Sequence, residues 1–153
     1  MKKLFVSLSI ALFAFMAVPA ASAADQASAA EAKSLVKKAI EFMQKNGKEK
    51  ALAQFNDPKG AFVDRELYVI VFEASGMTLA HGANAKIVGK DLSQMADADG
   101  KPILKGLIAT AKANGSGWYD YKWPNPVTQS IQHKSTYVEE SSGLFFACGI
   151  YKN

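Results

Sequence analysis

Leu67-Tyr68-Val69-Ile70-Val71-Phe72 is the stretch on which the fold turns. It is rich in β-branched and aromatic residues and apolar at every position, so it reads as a strand covered on both faces. A strand at a sheet surface would alternate with polar residues, and this one does not. Ala74-Ser75-Gly76 follows as a turn, and residues 77–81 return as the second arm of a hairpin. From Gly82 to Lys101 the chain is polar and punctuated by glycine, a long connection with a helical turn expected at residues 92–95. Connections of that length inside a compact domain are commonly functional.

Upstream of the hairpin, residues 31–45 place Leu35, Val36, Ala39, Ile40 and Met43 on one apolar stripe, with Lys33, Lys37, Lys38, Glu41 and Lys45 on the remainder. That spacing predicts an amphipathic helix closed by Asn46-Gly47. A short second helix is expected over residues 48–55, before Asn56-Asp57-Pro58-Lys59-Gly60. Downstream, Pro102 opens another helix whose stripe is Ile103, Leu104, Leu107, Ile108 and Ala111. Gly115-Ser116-Gly117 ends it. Three strands remain, at residues 118–123, 131–138 and 144–151. The order is helix, two strands, helix, three strands, which points to an α+β domain: a five-stranded antiparallel sheet with helices packed on it.

The first residues set the expected compartment. Met1-Lys2-Lys3 is positively charged, residues 4–18 are apolar apart from Ser7 and Ser9, and Pro19 precedes Ala21-Ser22-Ala23. This is the grammar of a cleavable secretory signal peptide over residues 1–23. Fifteen helical residues rise roughly 22 Å, short of the roughly 30 Å of a bilayer core. The expected mature chain, residues 24–153, has the size of one domain and shows no repeat or linker. It would then be periplasmic, or secreted where the host has a single membrane. Two of the 18 basic residues fall in the leader, leaving 16 against 14 acidic groups. So balanced a charge, without a basic block, argues against a nucleic-acid partner. Cys148 is the only cysteine, so no internal disulfide holds the fold.

Catalytic and metal motifs are missing from the pattern. An EF-hand loop with Gly100 at its sixth position would start at Met95 and end at Gly106, neither of which supplies a carboxylate. Gly115-Ser116-Gly117 lacks the spacing of a nucleophile elbow. Cys148 lies in an apolar strand, where a thiol is usually a small core residue. No cofactor and no metal is expected, and the chain does not read as an enzyme.

The same segments resemble the single Cache family of extracellular, PAS-like sensor domains. The resemblance rests on residues 67–72, on Gly76 and Leu79-Ala80-His81, on Val88-Gly89-Lys90-Asp91-Leu92, and on Asp97-Ala98-Asp99-Gly100-Lys101. It continues through Gly117-Trp118-Tyr119-Asp120-Tyr121-Lys122-Trp123-Pro124-Asn125-Pro126, Lys134-Ser135-Thr136-Tyr137-Val138 and Ala147-Cys148-Gly149-Ile150-Tyr151. It implies a PAS-like five-stranded sheet, a long N-terminal helix, and a pocket between the sheet and its long connection. Such domains bind small organic acids, amino acids or related metabolites, and most sit in chemoreceptors or sensor kinases between two membrane helices. Here the leader reads as cleavable and the chain ends at Asn153, so the expectation is a soluble domain that senses or presents an anionic metabolite. A membrane receptor or a second copy would be its partner.

The candidate ligand-binding set is Tyr68, His81, Trp118, Tyr121, Trp123, Lys134 and Tyr137. His81 ends a strand facing the long connection. Lys134 is the natural counter-charge for an anion, and the aromatic residues would form a pocket wall with hydroxyls to orient a ligand. Strict alternation puts Trp118 opposite Tyr119, Tyr121 and Trp123, and Lys134 opposite Tyr137, so the set need not share one face. The competing reading is a ligand-free structural or interaction subunit, its pocket filled by Trp118, Tyr121 and Trp123.

Overall fold

The computed structural model describes residues 26–152; the expected signal peptide lies outside the described residues. Helix α1 (Ala29–Asn46) starts at Ser28, whose hydroxyl accepts the Glu31 N–H while the Glu31 carboxylate accepts the Ser28 N–H at 2.6 Å. This reciprocal cap satisfies two backbone donors that a helix start leaves unpaired. The chain turns at Gly47 into α2 (Lys48–Phe55). A two-strand ribbon follows, β1 (Val63–Asp64) with β2 (Leu67–Tyr68), and then β3 (Ile70–Glu73) and β4 (Thr78–His81). Helix α3 (Leu104–Asn114) precedes the long strands β5 (Ser116–Pro124), β6 (Ile131–Ser141) and β7 (Leu144–Lys152).

The main sheet has the order β4-β3-β7-β6-β5, and its strand pairs are antiparallel. Residues 67–72 split at Val69 instead of forming a single strand. The Val69 N–H is taken by the Phe62 carbonyl and its own carbonyl by Gly82, so the ladder changes partners there. The long connection differs in a similar way. Residues 92–95 form one hydrogen-bonded turn, and the helical piece is a short 3-10 turn at Ala85–Ile87.

Alternation along residues 67–72 explains the apolar run. Leu67, Val69 and Val71 enter a core with Val36, Phe55, Phe62 and Phe146 beneath α1 and α2. Tyr68, Ile70 and Phe72 enter a second core with Leu104, Leu107, Tyr121 and Val138 beneath α3. The sheet is therefore buried on both sides, and the second face holds the polar groups described below.

Two devices fasten α3 and the long connection to that face. Tyr119 reaches across to donate a hydrogen bond to the Pro102 carbonyl at 2.7 Å, its ring lying against Gly106. Asp97 accepts the Asp99 and Lys101 N–H groups on one carboxylate oxygen and the Lys122 N–H on the other, at 2.9–3.0 Å. One side chain thus ties the connection to β5. Gly106→Ala separates two opposing effects. Alanine in a helix interior gains roughly 0.5–1 kcal/mol over glycine, but its Cβ would fall inside the Tyr119 ring. Overpacking of this kind costs about 1–3 kcal/mol. Chemical denaturation should show net destabilisation, and the Gly106→Ala, Tyr119→Leu double variant should recover part of it.

Candidate functional site

Strand β6 carries the feature that organises this face. Lys134 is only 1% exposed, opposite Tyr151 on β7 and Tyr121 on β5. Its stem has room because Gly149 on β7 has no side chain; a Cβ there would collide with Lys134 Cε and Thr136 Oγ1. Lys134 Nζ lies 4.0 Å from the centre of the Tyr68 ring and 4.9 Å from that of Tyr151, and donates to Tyr68 Oη at 2.6 Å. Tyr151 Oη donates to the Pro124 carbonyl at 2.8 Å. With that proton committed, the 3.3 Å contact between the two phenols has Tyr68 as donor. The chain of donors runs from Lys134 to Tyr68 to Tyr151 to backbone.

Among the described residues, no carboxylate lies within ion-pair distance of Lys134. Burial alone pulls its amine down to about 7. His81, buried against the Tyr68 ring at 4.7 Å, is pushed down to about 3, first by burial and then by the nearby Lys134 charge. The imidazole is therefore neutral. Burial also raises the Tyr68, Tyr121 and Tyr151 hydroxyls and the Cys148 thiol, so none of them is an anion near neutrality.

Other polar atoms here lack partners. Among the described residues, none hydrogen-bonds the buried His81 Nδ1 or Thr78 Oγ1. Thr136 Oγ1 donates to Tyr121 Oη at 3.0 Å, which leaves the Tyr121 hydroxyl proton unassigned. Buried polar groups are nearly always paired, so such a cluster marks a place where something polar belongs. Thr78 and His81 reach the same face only through a β-bulge. The β3–β4 register shifts between Val71 and Phe72, so Thr78 pairs with Phe72 and His81 with Ile70.

Two adjoining recesses open here, sharing His81 and Trp123. The inner one lies under α3 and the long connection, lined by Ile70, Leu92, Met95, Leu107 and Tyr121 among others, and measures about 20 Å³, the scale of one water. The outer one, between Tyr68, Asn84, Asn125 and Gln129, measures about 200 Å³. Met95, unbranched and adaptable, is the wall most able to yield.

Five of the seven candidates from the sequence thus gather on this face: Tyr68, His81, Tyr121, Trp123 and Lys134. Trp118 and Tyr137 do not join them. They pair across β5 and β6 with ring centres 5.4 Å apart, and Tyr137 lies in the core beneath α1. The cause is the alternation along each strand, which sends residues 118 and 137 to the face opposite 121 and 134. Tyr151, Thr136 and Thr78 were not singled out from the sequence. Thr136 follows from alternation along β6, Tyr151 once the β6–β7 register is known, whereas Thr78 depends on the bulge.

Against this geometry the comparisons are consistent. The family model of the single Cache domain 2 matches residues 2–146, and the chain belongs to that family. Cache domains are extracytoplasmic sensor modules of receptors. The chain is 27% identical over 90 residues to the methyl-accepting chemotaxis protein McpP of Pseudomonas putida, and 35% identical over 71 residues to the sensor histidine kinase MctS of Rhizobium johnstonii. These stretches cover 58% and 46% of the chain but only 16% and 15% of those receptors. In structure it resembles a methyl-accepting chemotaxis protein of Vibrio parahaemolyticus, with TM-score 0.67 and 22% identity over 80% of this chain and 86% of that one. A Cache chemosensory domain solved to show carboxylic acid recognition gives TM-score 0.64 and 22% identity, over 81% and 88% of the two chains. These likenesses fix the PAS-like α+β fold. Among the described residues, no helix is long and apolar enough to cross a membrane.

The buried amine has a measurable consequence for the ligand-free protein. Its folded pKa lies below the unfolded value of about 10.4, so the unfolded chain binds more protons between those two values. Stability should therefore rise with pH from about 7 toward 10. Lys134→Met removes the burial cost and should raise the melting temperature at pH 6–7, since exchanging buried ionic groups for apolar ones often gains about 1–4 kcal/mol. A lower melting temperature for this variant would mean that Lys134 serves the fold.

Proposed function

We propose that the chain is an exported domain, residues 24–153 after removal of a signal peptide, that binds a small carboxylic acid and catalyses nothing. It holds the acid on the sheet face beside Lys134, where the inner and outer recesses meet at His81 and Trp123 and where Met95 yields to enlarge the inner one, and presents its occupied form to a membrane receptor. The observation carrying this reading is Lys134: a fully buried amine with, among the described residues, no carboxylate within ion-pair distance. An uncompensated buried charge is costly, and selection tolerates it where a ligand supplies the counter-charge. The roles of the other groups follow from their positions. Tyr121 has a hydroxyl proton to donate, Thr78 and His81 have buried atoms to pair, and Trp123 with the apolar wall encloses a short hydrocarbon portion. The solved carboxylic-acid-recognising relative supports the ligand class.

The small recess favours acids of few carbons. Titrating residues 24–153 with acetate, propionate, lactate and pyruvate, alongside the corresponding amides, should show saturable binding of at least one acid and none of the amides. Binding of an amide as tightly as its acid would remove the charge from the account. Lys134→Met should abolish binding, and Tyr121→Phe should weaken it about tenfold, the worth of a hydrogen bond to a charged group. Trp118→Ala alters the other face and should leave affinity unchanged within about twofold; a larger loss would relocate the site.

A further inference from the structure

Every titratable group around Lys134 can be named, and together they make its amine an unusual receiver for an anion. From β2 come the Tyr68 ring and hydroxyl, from β4 His81, from β5 Tyr121, and from β7 Tyr151 and Cys148. Tyr68 and Tyr151 present ring faces, which attract a cation but supply no full negative charge. Tyr68 Oη accepts a hydrogen bond from Nζ, and its own proton is committed to Tyr151. Glu66, two residues before Tyr68, accepts the Ala27 N–H at 2.7 Å, and among the described residues no carboxylate makes an ion pair with Lys134. The ligand-free pocket is therefore built to hold a neutral amine almost as readily as an ammonium.

We propose that the pocket takes a carboxylate together with a proton captured by Lys134, so that the domain responds to the product of acid and proton concentrations instead of to the anion alone. This rests on the reading that a carboxylate binds against Lys134. Once the anion is in place, its charge faces Nζ in a site shielded from bulk solvent, and the ammonium becomes the stable form. The atoms balance simply. A proton from solvent adds to the Nζ lone pair, the carboxylate stays ionised, and the pocket gains no net charge. His81 contributes no proton in this range, because it remains neutral down to about 3. Burial, partly offset by Cys148, places the free amine's midpoint near 7, where the coupling starts to act. Above that midpoint, each unit of pH should weaken binding up to tenfold, until the pKa of the bound state is passed. Below it, affinity should level off.

The test has two parts, both on residues 24–153. Lysine labelled with 13C at Cε is titrated by NMR in the ligand-free protein, with the Lys134 signal identified by its loss in Lys134→Met. A midpoint within about one unit of 7, against about 10.4 for the surface lysines, supports the proposal. A Lys134 midpoint near 10 overturns it whatever the ligand. Calorimetry at pH 8, with whichever of acetate, propionate, lactate or pyruvate binds, is then run in phosphate and in Tris. The difference in heat between the buffers should correspond to uptake of close to one proton per ligand. Binding with no proton uptake sinks this proposal and leaves the carboxylate reading standing. If none of the four acids binds, the carboxylate reading fails and this proposal fails with it.

Discussion

A buried lysine amine with two phenol faces around it and, among the described residues, no carboxylate within ion-pair distance is the constraint from which the rest of this face can be understood. Its stem needs the gap left by Gly149, its amine needs the Tyr68 hydroxyl, and that hydroxyl in turn needs Tyr151 and the Pro124 carbonyl to accept the relayed proton. Remove the lysine and these features lose their common purpose. Keep it, and the sheet must be covered on this side by α3 and the long connection, because a partly wet amine would not differ from any surface lysine. The Tyr119 and Asp97 attachments supply that cover.

The sheet also works as a partition. One face, under α1 and α2, is a hydrocarbon core of phenylalanine, valine and alanine, suited to holding the domain together. The other mixes apolar residues with hydroxyls, an imidazole and an amine, several of them unpaired. Under the proposed reading, stability and recognition thus fall on opposite sides of the same strands. A change under α1 should act through folding, and a change around Lys134 through binding.

Much of this was legible in the amino-acid order. Residues 67–72 announced a sheet covered on both sides because they lacked polar alternation, and the stripes of α1 and α3 named the covers. The α+β class and the PAS-like Cache resemblance followed from that order. Lys134 stood out by its charge, and His81 by its chemistry together with the Cache resemblance at Leu79-Ala80-His81. The site was less legible where it depends on register. Trp118 and Tyr137 looked like pocket aromatics by type, yet a period of two sends them to the α1 face. Thr78 sits three residues before His81, so plain alternation separates them, and only the bulge at Val71 and Phe72 brings them together. Tyr151 needed the β6–β7 pairing to be placed opposite Lys134. The break at Val69 has a similar origin, since it is set by carbonyls at Phe62 and partners at Gly82 that are remote in sequence.

The most direct test of the central claim is a crystal structure of residues 24–153 with the tightest-binding short carboxylate. The account predicts a carboxylate oxygen within about 3 Å of Lys134 Nζ, the length of a charge-assisted hydrogen bond. The hydrocarbon end of the ligand should turn toward Leu92, Met95 and Trp123. A ligand seated on the sheet's other face, or one in the recess with its carboxylate turned away from Lys134, would contradict the account.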